Sequence, residues 1–344
     1  MSLRGARILN LMLGAGAGGL EAMAGHYHVA LADQGAEVHS VGRARSPFAA
    51  ALADRPGGFA AFASPGAWDP TAAWRLRAAA RAFDPPLIIA HGTRAQILAT
   101  AAFNAPVAAV VHNYRSKPVL ARCALAICVS ASVRRSVVAA FPGLATALVE
   151  NFEPLVEGQP RDRFGDPPTL GAIGRLHPNK GFDLLLEAAA LLRDQGRVFR
   201  MVIAGDGPEA APLRAQAAGL DLGAVVDFPG WVDPPSALAG MDIFVSSSRV
   251  EPFGLVIIEA MAAGVPVVAT DIDGPRDILQ AGALGALTPP GDAPALAAAI
   301  AAALDAPAPA LAAAGRAREA AMRTYSMPAG AARLAAALKP LIQA

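Results

Sequence analysis

Two short stretches carry side chains able to act on one ligand. In "GRLHPNKGFDLLLEA", Arg175 and Lys180 precede a helix predicted to open near Phe182. A guanidinium, an ammonium and a helix N-terminus together suit a diphosphate. The guanidinium forms paired bonds to phosphate oxygens, the ammonium adds a point charge, and the free N–H groups of the helix end add partial positive charge. The order Lys-Gly, with no Ser or Thr behind it, excludes a Walker loop. In "SSSRVEPFGLVIIEAMAAGVPVVAT", Glu251 and Glu259 flank a Pro-Phe-Gly turn and the start of a helix near Leu255. Glu259, on the second turn, can accept two hydrogen bonds from a ribose diol. Glu251, in the turn, can take sugar hydroxyls, and the positive helix end points at whatever lies beside them.

A third stretch, "NLMLGAGAGGLEAMAG", places Gly14, Gly16 and Gly19 in G-x-G-x-x-G spacing between an apolar run and an Ala-rich helical segment. Dinucleotide fingerprints have this setting. Arg43 and Arg45 after the next strand could hold a 2′-phosphate, so a rival reading is an NADP-dependent oxidoreductase; it accounts for the first 45 residues and nothing after 170.

The elements that must position these residues follow from hydrophobic periodicity. Short apolar runs alternate with Ala/Leu/Arg segments of helical length, the pattern of parallel sheets with helices on both faces. Strands are predicted over Arg7–Leu13, Glu37–Val41, Leu87–Ala90, Val107–Val111 and Leu125–Val129. A second series covers Leu170–Gly174, Arg200–Ala204, Val225–Phe228, Ile243–Val245 and Val265–Ala269. Between the series, "LVEGQPRDRFGDPPT" is rich in Pro, Gly and charge and reads as a linker. The expected organisation is a Rossmann-like domain over 1–155, a linker over 156–168, a second such domain over 169–322, and a terminal helix over 323–344 packing back on the first domain. Two such domains would face each other across a cleft lined by the carboxyl ends of both sheets. The Ala-rich tail beyond Asp292 is expected to form helices broken at its prolines.

The chain has 344 residues, 54% of them hydrophobic, with 29 basic and 28 acidic side chains for a formal charge of +1. That balance gives no reason to expect a nucleic-acid partner. Cys123 and Cys128 have neither the spacing nor the His partners of a zinc site and are expected to be buried free thiols in a reducing compartment. "MSLRGARILNLMLGAGAG" imitates a secretory leader, but glycine at every second position suits a strand and tight turn better.

"GRLHPNKGFD", "IAGDGP", "FPGWV" and "EPFGLVIIEAMAAGVPVVAT" resemble, in order and interval, the retaining glycosyltransferases of family 4, which have the two-Rossmann GT-B fold. The likeness is strong over 170–290 and looser before, through the glycine loop, "VVHNY", "VSASV" and "VENF". The resemblance implies that Arg175 and Lys180 bind the donor diphosphate, Glu259 the nucleotide ribose and Glu251 the transferred sugar. It places the backbone of Phe253, Gly254 and Leu255 against sugar and phosphate, and Trp231 and Val232 beside the base. It sets His112 near the sugar's C6 side and anomeric centre, with His91 a second, weaker histidine. Gly18, Gly19 and Glu21 match a "GG-x-E" loop that approaches donor phosphate or acceptor in relatives. Asp273 and Gly274, in "DIDGPRDIL", stand where relatives often carry Gly-Gly followed by Pro-Glu.

The function so implied is sugar transfer, with retained configuration, from a UDP- or GDP-linked donor to a carbohydrate or lipid-linked acceptor hydroxyl. Cell-surface polysaccharide, lipopolysaccharide or glycolipid synthesis is the expected setting, with no metal or cofactor required. A catalytically idle sugar-nucleotide-binding protein of the same fold is the other alternative. A cytoplasmic location is expected. Basic faces at "WRLRAAARAF" and "SVRRSVV" suggest peripheral contact with the inner membrane.

Overall fold

The computed structural model describes residues 3–14, 16, 19–53, 55, 57–63, 69, 71–159 and 161–343. The chain divides into two units, Met1–Pro154 with Tyr325–Ala344, and Leu155–Thr324.

The first unit is built on strands β1 (Arg7–Met12), β2 (Glu37–Gly42), β3 (Gly58–Ala61), β4 (Leu87–His91), β5 (Val107–Val111), β6 (Leu125–Cys128) and β7 (Thr146–Leu148). They form one sheet in the order β3-β2-β1-β4-β5-β6-β7, with every pairing parallel. A parallel sheet is covered on both faces, which is why β4 and β5 are buried at every position and read as unbroken apolar runs. Residues Tyr325–Ala344 belong to this unit: the Glu153 N–H donates to the Tyr325 carbonyl at 3.0 Å, and helix Met327–Ile342 packs on helix Gly19–Asp33.

The second unit uses β8 (Thr169–Ile173), β9 (Arg200–Ala204), β10 (Val226–Gly230), β11 (Ile243–Ser246), β12 (Val267–Thr270) and β13 (Ala286–Thr288). Their order is β10-β9-β8-β11-β12-β13, again parallel throughout. Counted from its own first strand this is 3-2-1-4-5-6, the Rossmann order. Helix Phe182–Asp194, rich in Leu and Ala, buries Leu185, Leu186 and Leu192 in a core shared with Met201 and Ile203. Each such fully buried leucine contributes roughly 2 kcal/mol.

The segment after Leu155 is fastened to the second unit. Gly158 N–H donates to the Ala262 carbonyl at 2.9 Å, and the Asp242 carboxylate accepts from the N–H groups of Gly165 at 3.1 Å and Thr169 at 2.8 Å. Three strands were not expected from the pattern: β3, β7 and β13. All three are short edge strands, "GFAA", "TAL" and "ALT", too small for an alternation to register. The Ala-rich tail forms helices Ala293–Asp305 and Pro307–Tyr325, bent by 99° at Ala306, whose extended φ of -128° is what a following proline favours. Among the described residues, no single helix is long and apolar enough to cross a membrane. Cys123 and Cys128 are free and buried, and burial pushes both thiols up to about 11.

Candidate functional site

In the second unit β8 and β11 are neighbours, yet the chain leaves β8 towards β9 and leaves β11 towards β12. The loops after β8 and β11 therefore meet at the switch point, where open α/β sheets leave a crevice. The β8 loop runs through Gly174 and Arg175 to a 3-10 turn, Pro178–Lys180, capped by His177, whose Nδ1 accepts from the Asn179 N–H at 3.2 Å. Gly181 ends this turn at φ 63°, and a Cβ there would overlap the Ser247 carbonyl oxygen of the β11 loop. Only glycine allows both the left-handed backbone and that approach.

Several bonds tie the two loops. Arg249 N–H donates to the Asn179 carbonyl at 2.7 Å and Ser247 Oγ to the Lys180 carbonyl at 3.0 Å, while Thr270 Oγ1, at the end of β12, anchors the β11 loop by donating to the Ser248 carbonyl at 2.6 Å. The Arg249 guanidinium grips both oxygens of Asp183 at 2.6 Å, holding that carboxyl below its ordinary range. Lys180 Nζ is paired with Glu251 Oε2, and Ser248 Oγ reaches the same oxygen at 3.5 Å. Lys180, Phe182, Ser247, Ser248, Glu251 and Gly254 line one pocket. Helix Leu255–Ala262 opens beside it with no side-chain cap on Gly254; Ile257 N–H donates to the Gly254 carbonyl at 3.1 Å, which leaves the N–H groups of Leu255 and Val256 without a partner among the described residues. Beneath the turn, Gly274 N–H donates to the Glu251 carbonyl at 3.1 Å, and a Cβ on Gly274 would overlap the Phe253 carbonyl oxygen.

The structure thus gathers Lys180, Glu251 and Gly254 into one pocket. Arg175 is exposed, with no side-chain partner among the described residues; Glu259 is half-buried on the second turn of its helix; Phe253 is buried; and Leu255 and Val232 are half-buried. None of these five lines that pocket, nor does Trp231, which is 75% exposed. Among the described residues, no three His, Cys, Asp or Glu side chains converge as a metal site would require.

The first unit has its own switch point between β1 and β4, and a polar network crosses it. Asn10 Nδ2 donates to the Ala24 carbonyl at 2.9 Å and to Ser40 Oγ at 3.3 Å, leaving Oδ1 to accept from His91 Nε2 at 3.0 Å. His91 is thereby fixed as the Nε2–H tautomer, and its buried Nδ1 is an acceptor without a partner among the described residues. His112 follows β5, its ring 5.8 Å from that of His91, and its Nε2 is buried and equally unpartnered. Burial holds the His112 pKa down to about 4; burial and then the neighbouring His112 hold His91 well below its ordinary value. Both rings are neutral at pH 7.

Gly19 begins helix Gly19–Asp33, and Glu21 within it is buried, its carboxylate against the backbone of Gly14 and Gly16. An acid lying in this loop opposes a dinucleotide pyrophosphate there. Gly18 lies outside the described residues. Two contributors had escaped the motif reading. Asn10 was signalled only by a polar residue inside an apolar strand, and the Asp183–Arg249 clamp by nothing local, because its members are 66 positions apart.

The description "Glycosyl transferases group 1" matches residues 158–321, and "Glycosyltransferase Family 4" matches residues 17–146. This chain belongs to the group 1, family 4 glycosyltransferases. Among relatives of this family 4 chain, the alpha-D-kanosaminyltransferase of Streptomyces kanamyceticus is 33% identical over 180 residues, 51% of this chain and 47% of that protein. The lipopolysaccharide core biosynthesis glycosyltransferase LpsE of Rhizobium meliloti is 39% identical over 140 residues, 40% of each chain. The family 4 chain thus spans less than half the length of these curated relatives. Anabaena HepE, solved with UDP and glucose, superposes with a TM-score of 0.83 at 23% identity, covering 97% of this chain and 100% of that one. That likeness shows the fold, two Rossmann-like units of the GT-B type.

Proposed function

We propose that this chain moves a sugar from a UDP- or GDP-linked donor to an acceptor hydroxyl, with the anomeric configuration retained. The reading is carried by one observation: a lysine and a glutamate share a pocket at the β8/β11 switch point beside an uncapped helix N-terminus. As the bond from C1 to the diphosphate breaks, negative charge grows on the leaving oxygens. Lys180, Arg175 and the helix end at Leu255 offset it, each well-aimed donor contributing about 10²- to 10³-fold in rate. No divalent ion is required in this reading. The new bond forms between C1 and the acceptor oxygen on the same face, and the acceptor proton passes to the departing phosphate oxygen. Glu251 holds sugar hydroxyls and Glu259 the ribose; Trp231 and Val232 lie beside the base, and His112 is assigned to the sugar.

The name of one relative supports a setting in lipopolysaccharide or related surface glycan synthesis, since LpsE is a lipopolysaccharide core biosynthesis glycosyltransferase. The protein would act in the cytoplasm, on carbohydrate or lipid-linked acceptors at the inner membrane. A thermal-shift screen over UDP, GDP and ADP tests the reading. One diphosphate is expected to raise Tm clearly, with EDTA present, and Lys180→Ala and Glu259→Ala are expected to abolish the shift. Full shifts in both variants would overturn the site map. The anomeric configuration of the product, read by NMR, tests retention.

A further inference from the structure

The net charge of the whole chain hides a strong asymmetry. The first unit holds 16 basic and 8 acidic side chains, net +8, and the second holds 13 and 20, net -7. Within the first unit, residues 85–149 contain Arg94, Arg115, Lys117, Arg122, Arg134 and Arg135 and not one Asp or Glu. Two of these cations, Arg115 and Lys117, line a pocket after β5 together with Thr93, Gln96, His112 and Ser116. Both cations are exposed, and neither has a carboxylate partner among the described residues.

Three further features converge on that pocket. Helix Thr93–Ala102 begins at its wall, and its N-cap, Gly92, offers no side-chain cap, so the positive end of the helix faces the pocket. Ser116 Oγ and His112 Nε2 are buried there without a hydrogen-bond partner among the described residues. Buried polar atoms are seldom left so, and where they stand beside cations without carboxylate partners they offer a ligand its hydrogen bonds. Cations, hydroxyl and helix N–H groups are all donors; a neutral imidazole can take either part. Such a set selects an oxyanion, and a guanidinium beside an ammonium suits phosphate.

We propose that this pocket holds a phosphate group carried by the acceptor, so that the acceptor of this glycosyltransferase is a phosphate-bearing molecule. The inference rests on the glycosyltransferase reading for the word acceptor, and on the first unit alone for the site. The phosphate belongs either to a soluble phosphomonoester or to a lipid headgroup, and the two sources are separable.

The test is binding by calorimetry of glucose 6-phosphate and of glucose to the full chain, to Arg115→Ala/Lys117→Ala and to Lys180→Ala. Co-sedimentation with phosphatidylglycerol and phosphatidylcholine vesicles runs in parallel. Glucose 6-phosphate is expected to bind at least about tenfold tighter than glucose, to lose at least about tenfold in the double variant, and to be unaffected in Lys180→Ala. If glucose 6-phosphate fails but sedimentation with phosphatidylglycerol alone is seen and is lost in the double variant, the phosphate is a headgroup and the pocket stands. Loss in Lys180→Ala with full binding in the double variant would place the phosphate in the other pocket and overturn the proposal, as would no preference for phosphate in either arm. The response of the wild-type chain to UDP and GDP is read separately, so failure of the donor reading is distinguishable from failure of this one.

Discussion

Lys180 and Glu251 are 71 positions apart in the chain and form an ion pair across the crevice between the β8 and β11 loops. In the proposed reaction these side chains serve different ends of one donor, the lysine its diphosphate and the glutamate its sugar. In that reading Glu251 competes with the diphosphate for the Lys180 ammonium.

Glu251→Gln removes that competition. A half-buried pair of this kind is worth about 1 kcal/mol, so UDP or GDP is expected to bind roughly threefold to tenfold tighter in the variant. Sugar transfer should nonetheless fall, because the amide is a poorer acceptor for the hydroxyls. Weaker diphosphate binding alongside lost transfer would show that the pair organises the pocket instead of blocking it.

How far the spacing of the motifs announced this site depends on topology. Lys180 and Glu251 are unrelated by any local period. Once the second half is read as one α/β alternation of Rossmann order, the loops after its first and fourth strands must be neighbours. That order was legible from Leu170–Gly174, Arg200–Ala204 and Ile243–Val245, whose apolar runs match β8, β9 and β11 within a residue or so at each end. Edge strands β3, β7 and β13 were not, since three or four small or Thr-containing residues carry no alternation. Nor were the long-range polar partners. A single asparagine in "RILNLM" breaks an apolar run without saying that it bonds residues 24, 40 and 91.

Gly274 illustrates a position whose role is purely steric. Its missing Cβ makes room for the carbonyl oxygens of Phe253 and Glu251, and its N–H supports the latter. Gly274→Ala is expected to push the Pro-Phe-Gly turn outward, at a cost of about 1–3 kcal/mol in stability and a measurable loss of diphosphate affinity. Thermal melting with and without UDP or GDP reads both effects; an unchanged Tm would mean the turn shifts without strain.

Asn10 is the hinge of the buried network in the first unit. Truncation to alanine leaves the buried His91 Nε2–H without its partner, at about 1–3 kcal/mol, and removes the bonds that Asn10 Nδ2 gives the Ala24 carbonyl and Ser40 Oγ, each worth about 1 kcal/mol. Asn10→Ala should therefore lower stability by several kcal/mol in urea denaturation, well beyond an ordinary core Asn→Ala volume change. A loss below about 1 kcal/mol would show that water enters and satisfies these groups.

The paired histidines set the acid limit of the fold. Burial keeps His112 neutral down to about 4 and His91 neutral lower than its ordinary value, whereas both titrate near their ordinary value of 6.5 once unfolded. Between these limits the unfolded chain binds more protons than the folded one, so stability must fall as pH drops. The contribution is fully present above about pH 6.5 and is lost on the way down to about pH 4. For His112 alone the shift amounts to roughly 3 kcal/mol at the full extent of the window. Urea midpoints at pH 7 and pH 5 should differ clearly in the wild-type chain, and His112→Gln, which cannot be protonated, should narrow that difference. An identical pH dependence in the variant would mean that His112 is hydrated and titrates as freely in the folded protein as in the unfolded one.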